Sequence, residues 1–72
     1  MQTESQAPRQ AWTGDELRLL RVSRRVTATA VARHYGATPQ AITNVERTSR
    51  PGRATVARYL DALHAAIAEA DR

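Results

Sequence analysis

The stretch "TATAVARHYGATPQAITNVER", residues 27–47, constrains this chain more than any other. Two segments with apolar residues at helical spacing lie on either side of a single Gly. In the first, Val31, Ala32 and Tyr35 stand at i, i+1 and i+4; in the second, Ile42 and Val45 stand at i and i+3. Thr27 is the candidate N-cap of the first segment. Thr38 caps the second, with Pro39 at the first helical position, where its missing N–H costs nothing. Gly36 falls just past the first helix, where a residue must take φ > 0, and Gly does so without steric cost. Two short helices joined through "GAT" must turn sharply. Ala32 has little bulk and lets the second helix cross close over the first, while Ile42 and Val45 fill the angle between them.

The flanks read as helices too. In "WTGDEL", Thr13 and Glu16 form a capping box, and Trp12 and Leu17 can form the hydrophobic staple around it. Asp15 and Glu16 suit the positive end of the helix dipole. This helix runs to about Arg24, with Leu17, Leu20 and the stem of Arg24 on one face and Leu19 and Val22 off it. "TSRPG" breaks the chain again. From about Arg53 a last helix runs nearly to the end, with Val56, Leu60, Leu63, Ile67 and Ala70 spaced four, three, four and three. No stretch alternates apolar and polar residues, so no strand is expected. Residues 1–11 have no periodicity and contain Pro8, and are expected to be a flexible tail before one domain over residues 12–72. The expected fold class is all-α, with four helices or five. In a chain of 72 residues the core supplies only a few kcal/mol. There is no Cys, which removes disulfides and thiolate metal sites. The polar N-terminus and the lack of a long apolar run point to a cytoplasmic protein with no membrane segment.

The net charge of +4 is unevenly placed. Residues 17–60 hold nine Arg and one acid, Glu46, for +8, whereas the flanks sum to −4. Every cation is Arg. Coding bias in a GC-rich genome explains Arg in place of Lys, but not the segregation. Guanidinium forks match phosphates and base edges, and a segregated basic block is the electrostatic footprint of a nucleic-acid binder.

Two short helices around a Gly turn form a helix-turn-helix. Residues 17–63 resemble the lambda-repressor, Cro and Xre-like helix-turn-helix proteins. "LRLLRVSRRVTATAVARHYGATPQAITNVER" and "RPGRATVARYLDAL" carry the resemblance. Leu20-Arg21 and Val26-Thr27 match that family's first helix and its entry into the second. Ala32, Gly36, Ile42, Val45 and Glu46 match the small residue, the turn Gly, the two apolar positions of the recognition helix and the Glu after them. Leu60 and Leu63 match the fourth helix. The chain departs from the pattern at Ala28, where a phosphate-anchoring Gln is frequent, and at Arg25, where Gly is common. It also lacks a Gly soon after Leu63, so one long terminal helix is expected.

The resemblance implies a lambda-repressor-like DNA-binding domain whose third helix, about residues 39–47, enters the major groove. Its outward residues would be Pro39, Gln40, Thr43, Asn44 and Arg47. Helical spacing agrees, since Gln40, Thr43, Asn44 and Arg47 fall at i, i+3, i+4 and i+7. Gln and Asn pair bidentately with adenine, Arg with guanine, and the Thr methyl meets thymine. The bland alternative is an ordinary solvated helix face. Thr27, Thr38, Arg50 and Arg53 are the phosphate candidates, although both Thr can equally be plain caps. The resemblance further implies a structural ion pair between Arg21 and Glu46.

His34 and His64 have no carboxylate or thiolate partners at ligand spacing, so no metal site, cofactor or enzyme is expected. The functional expectation is a sequence-specific, repressor- or Cro-like transcriptional regulator. It would bind double-stranded DNA at a palindromic operator, as a homodimer through the C-terminal helix, and its size suits a phage or mobile-element switch. The alternative is a helix-turn-helix-fold module acting on a host or phage protein. An RNA reader would need aromatic stacking platforms, and the chain has only Trp12, Tyr35 and Tyr59.

Overall fold

The computed structural model describes residues 11–71. The tail expected over residues 1–11 thus lies, all but Ala11, outside the described residues. Four helices follow one another: α1 Gly14–Ser23, α2 Ala28–Tyr35, α3 Pro39–Arg47 and α4 Arg53–Ala70. No strand occurs among the described residues.

The helix starts follow from local chemistry. Thr13 Oγ1 accepts from the Glu16 N–H at 3.0 Å, and the Thr13 N–H donates back to Glu16 Oε1 at 2.9 Å, closing the capping box. Thr27 and Thr38 accept from the Ala30 and Ala41 N–H groups at 3.1 and 3.2 Å. Each therefore satisfies one of the free donors at its helix start. Only α4 begins without a side-chain cap, at Gly52. The α2–α3 turn closes as expected, with Gly36 at φ 83°. The α1–α2 turn makes the same left-handed excursion with a side chain in place, Arg25 at φ 57°.

The core is Leu17, Val26, Val31, Ala32, Ile42, Val56, Tyr59, Ala62, Leu63 and Ala66. Leu19 and Val22 are exposed, as their position off the α1 stripe requires. The buried face of α4 differs from the expected stripe. It is built on Val56, Tyr59, Ala62, Leu63 and Ala66, while Leu60 and Ile67 are half-buried and Ala70 is exposed. The reason is close packing of α4 on α2: small Ala62 and Ala66 admit a near neighbour where Leu and Ile could not. Ala66, off the stripe of large aliphatics, is therefore inside the core. Ile67 lies beside Leu20 and Arg24 of α1 in a shallow groove also lined by Leu63, His64, Ala68 and Asp71.

Candidate nucleic-acid interface

The orientation of α3 is set by one buried polar network. Glu46, on the inner side of α3, is only 6% exposed. Its Oε2 accepts from Arg21 Nε at 2.7 Å and from the Tyr59 hydroxyl at 2.5 Å; its Oε1 accepts from Arg21 Nη2 at 3.1 Å. Arg21 Nη1 donates to the Val26 carbonyl at 2.9 Å. The Leu17 carbonyl lies 3.3 Å from the Tyr59 oxygen, so the single phenolic hydrogen goes to the nearer, charged acceptor. The carboxylate thus joins α1, α3 and α4, and Arg21 extends the network to the α1–α2 turn. The bidentate contact with Glu46 raises the Arg21 pKa further above its ordinary value, against the opposing effect of burial. Burial, with the adjacent Glu46 carboxylate, pushes the Tyr59 phenol above its ordinary range. The sequence offers no pattern that singles out Tyr59 as the third member of this group.

A second lock is backbone to backbone. The Gly14 N–H donates to the Thr48 carbonyl at 3.0 Å, pinning the start of α1 to the end of α3. A Cβ on Gly14 would collide with the carbonyl oxygens of Glu46 and Thr48. In sequence Gly14 is merely a residue in the first turn of a helix; its role depends on an approach across 34 residues of chain.

Held this way, α3 turns Pro39, Gln40, Asn44 and Arg47 to solvent, with Thr43 half-exposed at the edge of the same face. Gln40 Nε2 donates to Asn44 Oδ1 at 3.0 Å. The amide oxygen of Gln40, its second N–H and both N–H donors of Asn44 remain available for base edges. The Thr43 hydroxyl donates to the Gln40 carbonyl at 3.0 Å, which leaves its methyl as the group that can meet a thymine. Thr48 likewise donates to the Asn44 carbonyl at 2.9 Å. Thr27 and Thr38 are exposed. Each uses an oxygen lone pair for its cap and keeps its hydroxyl hydrogen, so capping and phosphate contact are compatible. Arg50 and Arg53 are exposed, and neither makes an ion pair among the described residues.

The other arginines are not equivalent. Arg58 donates from Nη2 to the Tyr35 carbonyl at 2.8 Å, and its guanidinium carbon stands 4.2 Å from the centre of the Tyr35 ring. It closes the C-terminal end of α2 and is part of the scaffold. Arg33 and His34 meet Glu69 of α4 at 3.7 and 3.1 Å, an exposed cluster of small energetic weight. No three metal-ligating side chains gather among the described residues, and no described helix is long and apolar enough to cross a membrane.

A family model described as a helix-turn-helix domain matches residues 12–72. The chain belongs to the helix-turn-helix domain family. The match spans all four helices, and the family assignment marks the chain as a DNA-binding domain of general regulatory type. No curated protein and no solved structure matches the chain.

Proposed function

We propose that this helix-turn-helix protein is a sequence-specific transcriptional regulator of repressor or Cro type that places α3 in the major groove of double-stranded DNA. The observation that carries this reading is the solvent face of α3. Four readout side chains, Gln40, Thr43, Asn44 and Arg47, share one face of a helix whose pitch and rotation are fixed from behind by the Arg21–Glu46–Tyr59 network. Such a face offers donors, acceptors and a methyl in the combinations that distinguish base pairs in the major groove. Thr27 and Thr38 at helix starts, with Arg50 and Arg53 after α3, supply backbone contacts that set register without reading sequence. The operator is a palindrome read by a homodimer, and the protein acts in the cytoplasm by binding, without chemistry.

Selection of bound sequences from random duplex DNA tests the proposal. Enrichment of one palindromic site is the expected result. Failure to enrich any sequence would favour the alternative, a protein-interaction module of the same fold. The exposed pair Leu19 and Val22 on α1 is the surface such a module would use.

A further inference from the structure

Beside the reading face of α3 lies a polar cleft whose α1 residues Asp15 and Arg18 have no role in the site described above. Its walls are Thr13, Asp15 and Arg18 of the α1 end and Arg47, Thr48 and Ser49 of the α3 end, and the Arg21–Glu46 pair forms part of its lining. Thr43 lines it as well, so the cleft opens along one edge of the solvent face of α3. Arg18 and Arg47 are both exposed, and neither makes an ion pair among the described residues. The charge of Glu46 is answered internally by Arg21 and the Tyr59 hydroxyl. The only other carboxylate in the lining is Asp15, so two unpaired guanidiniums, one from α1 and one from α3, face one acid.

We propose that this cleft receives a backbone phosphate of the bound duplex, with Arg18 as the cation that reaches it. The inference rests on the DNA-binding reading above and extends it to α1. A helix lying in the major groove is bordered by a sugar–phosphate backbone on each side, so groups flanking its reading face are where phosphates arrive. Arg18 stands at such a flank, on a different element from Thr27, Thr38, Arg50 and Arg53. The Ser49 hydroxyl borders the same space, and a guanidinium beside a hydroxyl is a suitable phosphate grip. Arg47, at the seam between cleft and reading face, can serve either side. Asp15 sits in the same cleft and opposes the phosphate, so the two residues of α1 make opposite predictions.

The test is a salt titration of the full chain on a mixed-sequence duplex, comparing wild type with Arg18→Ala, Asp15→Asn, Arg50→Ala and Arg33→Ala. Loss of one phosphate contact flattens the plot of log affinity against log salt by about one unit. Arg18→Ala should show that flattening and weaken binding on every sequence alike. Asp15→Asn should tighten binding, and Arg33→Ala, which removes an equal charge on the Glu69 side of α2, should leave the slope unchanged. All four positions are exposed, so unchanged melting curves should confirm that folding is not being measured. An unchanged slope in Arg18→Ala beside a flattened one in Arg50→Ala would overturn the cleft and leave DNA binding standing. Equal flattening in Arg18→Ala and Arg33→Ala would reduce the effect to net charge and also overturn it. A wild-type protein that does not bind duplex DNA would overturn both readings.

Discussion

Gly14 stands at the first helical position of α1, where intrinsic preference favours Ala by up to about 1 kcal/mol. The fold reverses that preference. A methyl there meets the carbonyl oxygens of Glu46 and Thr48, backbone atoms that cannot swing away. Gly14→Ala should therefore cost about 1–3 kcal/mol, the range for overpacking with a backbone shift. For a domain of this size each kcal/mol lowers the melting temperature by roughly 4–8 °C. A melting temperature equal to or above wild type would show that α1 and α3 do not approach so closely. Tyr59 tests the network beneath α3 in a different way. Its phenol is held above the ordinary value near 10, first by burial and then by Glu46. In the unfolded chain it ionises near pH 10, while in the folded chain it resists. The stability that depends on the neutral phenol is thus intact below about pH 10 and is lost as pH rises above it. Tyr59→Phe should lower stability at neutral pH by about 1–3 kcal/mol, since Glu46 loses a buried partner. It should also flatten the alkaline decline. Thermal melts at a series of pH values decide the matter: parallel alkaline declines in the two proteins would rule out Tyr59 as the responsible group. Neither residue could be read from the sequence, because both act on partners distant in the chain. The Arg21–Glu46 contact, by contrast, was expected from the family pattern, although its third partner was not.

At the scale of helices, what was legible depended on what sets each helix's rotation. The rotation of α3 could be read because Thr38, Pro39 and Ile42 fix its start and its inward side within four residues. The face carrying Gln40, Asn44 and Arg47 is then the only one left for solvent. The rotation of α4 departs from the expected stripe because the pattern of large aliphatics marks one stripe, while close packing on α2 selects Ala62 and Ala66 and the Glu46 carboxylate draws in Tyr59. Hydropathy ranks Leu60 above Ala66; the space between two helices ranks them the other way. The α3 face yields a prediction about discrimination. Gln40→Ala and Asn44→Ala should each lower affinity for the selected site by about 1–3 kcal/mol. Affinity for random DNA, which rests on arginines, should hardly change. Because Gln40 donates to Asn44 at 3.0 Å, the two losses should not add. Removing Asn44 frees Gln40 to turn, and a double-mutant cycle should return a coupling above about 0.5 kcal/mol. Competition binding at fixed salt gives both quantities. An intact ratio of specific to nonspecific affinity in both variants would mean that α3 is not the reading helix.

At the scale of the whole molecule the open matter is how many copies read one site. A single α3 of nine residues covers only part of a groove segment, and helix-turn-helix dimers place two such helices about one DNA turn, roughly 34 Å, apart. We propose that the second copy seats on the C-terminal half of α4. Ala66 is not available, because it already packs within its own fold at 3% exposure. What α4 still presents is the groove where Leu63 and Ile67 meet Leu20 of α1, with exposed Ala68 on its border. An exposed Ala in a helix tolerates substitution within about 0.5 kcal/mol, so Ala68→Glu tests the interface without disturbing the fold. The carboxylate would be buried without a partner in a dimer formed there and hydrated in a monomer, and burying an unpaired charge is costly. Wild type should sediment as a dimer at micromolar concentration on a palindromic site. Ala68→Glu should sediment as a monomer, melt at the same temperature, and bind a palindrome no more tightly than a half-site. Wild type that remains a monomer both free and on DNA would eliminate the dimer. Ala68→Glu that remains a dimer would instead move the interface off this groove, leaving the pair Leu19 and Val22 on α1 as the next apolar surface to vary.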